Sequence, residues 1–148
     1  MQWDERVPDK SGLLPGADAA RIQAVETDLG IELPREFIDF LLWADGGIIA
    51  RWIIIYSAGE GIHPSETLLK ANRGLWNGNF PLITVGSDGG EAEFGFKKSD
   101  LPADSAPVYC CYIDGSDEDI WRVADSFGEF VEWMFKQAEL GRDKKKSR

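Results

Sequence analysis

From Asp18 the chain changes from an irregular mixture rich in Pro and Gly to a helical period. Ile22, Val25 and Leu29 recur at spacings of three and four and share one face. Asp18 stands before them as a cap, and Gly30 followed by apolar Ile31 is a left-handed stop, which predicts a helix of about three turns. Leu33-Pro34 opens a second helix, with Pro34 at the first helical position, where its missing N–H costs nothing. Phe37 with Leu41 and Ile38 with Leu42 are spaced i, i+4, so a wide stripe of this helix is expected to be buried, and Asp45-Gly46-Gly47 is expected to end it. Ile48 to Tyr56, apolar apart from Arg51, reads as one inner strand, and Ser65 to Arg73 as a short helix.

The stretch VGSDGGEAEF, Val85 to Phe94, predicts a hairpin. A two-residue turn centred on Asp88-Gly89 pairs Val85 with Ala92 and Ile83 with Phe94, placing all four on one face. Thr84 and Gly86 then oppose Glu93 and Glu91, so both acids fall on the other face of the sheet. A four-residue loop preserves these sets, whereas a three-residue loop mismatches them.

Val108 to Ile113 is apolar throughout, as a central strand should be, and Asp114-Gly115 begins a second acidic turn before a strand over Ile120 to Val123. Ser126 with Glu129 forms a capping box, and Phe127, Phe130, Val131, Met134 and Ala138 make one helical face ending near Gly141. Residues 1–17 are expected to be an irregular lead-in, 18–141 one domain, and 142–148 a frayed basic tail. Trp43, Trp121 and Trp133 are expected in or at the core, while Trp3 and Trp76 sit in poorly patterned segments.

A chain of 148 residues suffices for one core and is short for two. With 43% hydrophobic and 28% charged residues its usage is globular, so it needs no metal or disulfide to fold. The formal charge is −10; the last seven residues, RDKKKSR, hold five of the sixteen basic side chains and one of the twenty-six acids, so residues 1–141 carry −14. Such a body is repelled by nucleic acid and by acidic membranes and attracts basic partners; solubility alone is the plainer explanation of the charge. Cys110 and Cys111 are neighbours, their Cα atoms about 3.8 Å apart, too close for an ordinary disulfide. On a strand they face opposite ways, which spoils them as joint metal ligands. With no signal peptide at Met1 and no long apolar run, a cytoplasmic location is expected.

Catalytic and cofactor motifs are absent. The glycines of VGSDGGEAEF carry no Lys-Ser or Lys-Thr and precede no helix, so they do not form a phosphate loop. The run DGSDED lacks the glycine and glutamate that an EF-hand needs; Asp114, Asp117 and Asp119 could hold a nonspecific ion, but a solvated turn fits better. His63 is the sole histidine, which rules out a multi-histidine zinc site, and no nucleophile elbow accompanies it. Glu91 or Glu93 with Asp117 or Asp119 could serve as an acid pair for hydrolysis, yet among twenty-six acids some pair always looks suitable. No catalytic, metal or cofactor residue is therefore assigned.

The run IQAVETDLGIELPREFIDFLLWADGG resembles the opening of the SMI1/KNR4 family, also called the SUKH superfamily. Glu26, Gly30, Leu33, Pro34, Phe37, Phe40, Leu41, Gly46 and Gly47 match its recurring residues in order, with Asp45 where an Asn is common and Phe37 where a Tyr is common. ITVGSDGGEAEFGF resembles the family's strand, turn and strand at Gly86, Asp88, Gly89 and Gly90, though Glu91-Ala92 replaces a further Gly-Asp. VADSFGEFVEWM resembles its terminal helix at Ser126, Phe127 and Phe130, with Val131 in place of a Leu.

The resemblance implies a single α+β domain with a mostly antiparallel sheet and helices packed around it. It also implies an immunity protein that binds and neutralises a toxin domain, often a nuclease, without catalysis. A regulatory scaffold without a toxin partner, as in fungal members, is the alternative, and an acid-pair hydrolase a third. For the first reading the surface expected to meet a basic toxin is formed by Glu91, Glu93, Asp114, Asp117, Glu118 and Asp119.

Overall fold

The computed structural model describes residues 3–116 and 118–146, the side chains of 141–146 excepted. Its elements are α1 (Trp3–Arg6), β1 (Leu13–Pro15), α2 (Ala19–Leu29), α3 (Arg35–Trp43), β2 (Ala44–Ile49), β3 (Ile53–Ile55), α4 (Leu68–Gly74), β4 (Leu82–Ser87), β5 (Ala92–Lys97), β6 (Val108–Tyr112), β7 (Ile120–Ala124) and α5 (Phe127–Lys146). The strands form one antiparallel sheet in the order of the sequence, β1 to β7. The fold is α+β, as the resemblance implied.

Helices α3 and α5 lie across one face. Phe37 meets Phe96 at 5.9 Å and Phe94 meets Phe130 at 5.1 Å between ring centroids, so aromatic side chains from both layers interlock in the core. The other face is covered over part of its area by α4 and the 3₁₀ turn Leu75–Gly78, beneath which Phe80, Leu82 and Cys111 form a second cluster. Helix α4 also completes the sheet. Because β3 is only three residues long, Thr84 has no strand partner on that side, and the Asn72 side chain takes its place. Asn72 Oδ1 accepts from Thr84 N at 2.9 Å, and Asn72 Nδ2 donates to Thr84 O at 3.0 Å.

Helix α2 is capped as expected: Asp18 accepts from Arg21 N at 2.7 Å, and Gly30 closes it at φ 69. Other boundaries move. The described part of the lead-in holds two elements: Trp3 of α1 packs its ring 5.2 Å from Phe40, and β1 pairs with β2. Pro34 caps α3 from just outside it. The Asp45-Gly46-Gly47 segment does not follow the helix as a loop but lies within β2, where a Cβ at Gly46 would meet the Ile55 carbonyl and one at Gly47 the Gly12 carbonyl. Here glycine serves close strand approach.

The single strand expected over Ile48 to Tyr56 is a hairpin, β2 to β3. Ala50 and Arg51 turn it at φ 54 and 68, a left-handed turn made without Gly, Asn or Asp and therefore unsignalled. Val108 to Tyr112 is next to the edge of the sheet instead of central. Helix α5 opens on the capping box, with Glu129 N donating to Ser126 Oγ at 3.1 Å, and its bounds run through Lys146, so they take in residues 142–146. Ser147 and Arg148 lie outside the described residues.

Candidate interaction surface

The β4–β5 and β6–β7 turns lie side by side at one end of the sheet. Ala92 pairs with Tyr112, and Ile113 N donates to Glu91 O at 2.8 Å, which joins the start of one turn to the end of the other. The first turn is not the two-residue form expected. It spans Asp88 to Glu91, with Gly89 at φ 83, and Asp88 Oδ1 accepts from Gly90 N at 2.8 Å and Ala92 N at 3.2 Å. The pairing is accordingly Ile83 with Phe96, and Gly86 with Phe94, across an irregularity at Val85. That bulge restores Val85 to the core face, so Ile83, Val85, Ala92 and Phe94 are all buried there despite the different register.

The second turn is braced from within and from outside. Asp119 N donates to Ser116 O at 3.0 Å, and the indole N–H of Trp76 donates to Ile113 O at 2.7 Å. Trp76 and Asn77 stand at φ 48 and 55. Glu91, Asp114, Glu118 and Asp119 are exposed around this end, while Asp117 lies outside the described residues. Beside them Tyr112 and Trp121, each 43% exposed, place their rings 5.2 Å apart, next to Ile113 at 37%. Trp121 was expected nearer the core. It sits on the edge strand, and strand periodicity cannot say which end of a sheet a helix leaves uncovered.

Glu93 is the clear correction. The sequence placed it on the sheet face opposite Phe94, and it is there, but that face is covered and Glu93 is 2% exposed. Its Oε1 accepts from the Tyr56 hydroxyl at 2.7 Å and from Thr84 Oγ1 at 2.8 Å. Burial pushes its carboxyl above the usual range, against the hydrogen bonds that favour the charged form. Glu93 cannot touch a partner; it organises the interior. Asp45, also buried, takes N–H bonds from Ala58 at 2.7 Å and Gly59 at 2.9 Å, and burial raises its pKa as well. Nothing in the local sequence separates these two acids from the exposed ones: Glu32, Asp39 and Glu132 also stand between apolar residues and are exposed.

Catalytic geometry is thin. Among the described residues no group of three or more His, Cys, Asp or Glu could hold a metal ion, and His63 is exposed. With Glu93 buried, acid pairs that include it have no access to substrate. Cys110 and Cys111 are buried in different clusters and are not joined by a disulfide, Cys110 with its thiol pushed up to about 12 by burial. No described helix is long and apolar enough to cross a membrane.

The chain is thus a small α+β protein with one antiparallel sheet and an acidic, aromatic turn end. Residues 16–133 match the SMI1 / KNR4 family (SUKH-1), and the chain belongs to that family. No curated protein matches it at a significant level. Several of the residues that carry the resemblance lie in the core. Phe37, Phe40, Leu41, Phe127 and Phe130 are fully buried, Leu33 nearly so, and Glu26 Oε2 accepts from Leu33 N at 2.8 Å to fasten the break between α2 and α3.

Proposed function

We propose that this chain is a non-enzymatic immunity protein that binds a basic toxin domain, of the nuclease kind, through the turn end of its sheet. Membership of a family generally made up of immunity-type, non-catalytic proteins is consistent with this reading. The observation that carries it is the convergence of Glu91, Asp114, Glu118 and Asp119 around the exposed Tyr112 and Trp121 pair. Aromatic side chains supply the buried area of a protein interface, and a ring of like charge steers an oppositely charged partner onto it. Seated in a nuclease's basic groove, this surface would occupy the positions of the phosphates and exclude nucleic acid.

The test is neutralisation of the product of the neighbouring gene, which on this reading is a basic toxin domain. Reversing Glu91, Asp114 and Glu118 to Lys should slow association about 10- to 100-fold at low salt and abolish protection, with the fold unchanged by circular dichroism. Full protection by that triple variant would sink the assignment of this surface.

A further inference from the structure

A sheet whose strands run in order has two edges. β1 is a poor edge for further pairing, being three residues long and ending in Pro15, which has no N–H to offer. β7, Ile120–Ala124, is five residues long and free of proline. Its hydrogen-bonding direction follows from the ladder. Ile113 N bonds to Glu91 O on the β5 side, and backbone groups alternate in direction along a strand, so Tyr112 and Cys110 turn theirs to β7. Cys110 lies opposite Trp121, so Trp121 bonds inward, while Ile120 and Arg122 turn their N–H and C=O groups away from the sheet. Among the described residues, no backbone hydrogen bond outside the β6 ladder involves residues 120–124.

The surroundings of this edge select its occupant. Exposed Glu118 and Asp119 precede it, and exposed Asp125, paired at 3.4 Å with the strand's own Arg122, follows it, so acids stand at both ends. Trp121 presents its ring on one side of the strand, against Tyr112. A second copy would bring another chain of charge −10 edge to edge with the first, which Coulomb repulsion opposes. Resting on the function proposed above, we infer that β7 receives an extended, basic segment of the toxin domain as an eighth strand. The outward groups of Ile120 and Arg122 make the main-chain bonds, an apolar side chain of the added strand covers Trp121, and its Lys or Arg residues meet the acids at either end.

Amide exchange, read residue by residue by NMR, tests this on the full chain alone and with the catalytically inactivated product of the neighbouring gene, a toxin domain on the proposed function. The amides of Ile120 and Arg122 should exchange freely in the isolated chain and slow at least ~100-fold in the complex, while that of Trp121 is protected in both. Arg122→Pro removes an outward N–H without touching the β6 ladder and should weaken binding about tenfold, whereas Arg122→Ala, which keeps the N–H, should change it far less. A complex that forms while Ile120 and Arg122 continue to exchange freely overturns strand addition but leaves the proposed function standing. Failure to form any complex overturns both. Protection at these two amides that rises with the concentration of the isolated chain assigns the edge to a second copy and also overturns the inference. If Arg122→Pro does not fold, the exchange measurement on the unmodified chain decides alone.

Discussion

Tyr56→Phe removes a single oxygen from the cluster around Glu93, and the geometry sets what that removal costs. Tyr56 is buried, and its hydroxyl is one of two that donate to Glu93 Oε1, at 2.7 Å, with Thr84 Oγ1 at 2.8 Å the other. The ring packs as before in the variant, so no cavity accompanies the change beyond one oxygen. What is lost is a hydrogen bond to a carboxylate that water cannot replace, worth about 1.5–3 kcal/mol. For a domain of this size each kcal/mol moves Tm by about 2–4 °C, so a fall of about 3–12 °C is expected at neutral pH. Urea unfolding of the wild type, Tyr56→Phe, Glu93→Gln and the double variant measures the coupling directly, provided the m-values agree. In the Glu93→Gln background the cost of Tyr56→Phe should fall to about 1 kcal/mol, that of a neutral hydrogen bond. An equal cost in both backgrounds would mean that the hydroxyl does not serve the carboxylate, and the account of this cluster would be wrong.

The same carboxyl makes stability depend on pH. Its folded pKa lies above the unfolded value, so the folded state holds the proton more tightly; its contribution is fully present below the unfolded value of 4.5 and is lost as pH rises through the folded pKa. Glu93→Gln should therefore flatten the decline of urea midpoint above pH 4.5, and an unchanged slope would contradict the assignment. Asn72→Ala strips Thr84 of both main-chain partners and should cost about 2 kcal/mol in urea unfolding. Trp76→Phe keeps the ring against Phe80, 4.9 Å away, but removes the N–H that braces the Ile113 carbonyl. It should speed amide exchange across residues 113–119 while changing the global midpoint by less than about 1 kcal/mol.

Much of the fold was legible because local rules and burial agree. Ile22, Val25, Gly30, Phe37, Leu41, Phe127 and Phe130 were placed correctly by helical period and capping alone, since a helix shows its buried stripe in the order of its residues. The β2–β3 hairpin was hidden because its turn uses Ala50 and Arg51, whose left-handed conformation is imposed by the flanking strands and not by their own preference. Of the acids expected on the surface, Glu91, Asp114, Glu118 and Asp119 are there, and Glu93 is not.

What sequence alone determined, then, is the parity of each strand: which residues share a face with Phe94 and which do not. It could not determine what lies over that face. Strand alternation is a property of two neighbouring residues, whereas covering Glu93 takes Tyr56, thirty-seven positions away, together with Thr84, whose backbone is held by a side chain of α4. The side-by-side placement of the two acidic turns is of the same kind. Each turn is written locally, but their meeting around Tyr112 and Trp121 depends on β5 lying next to β6, a long-range pairing that only the folded chain makes.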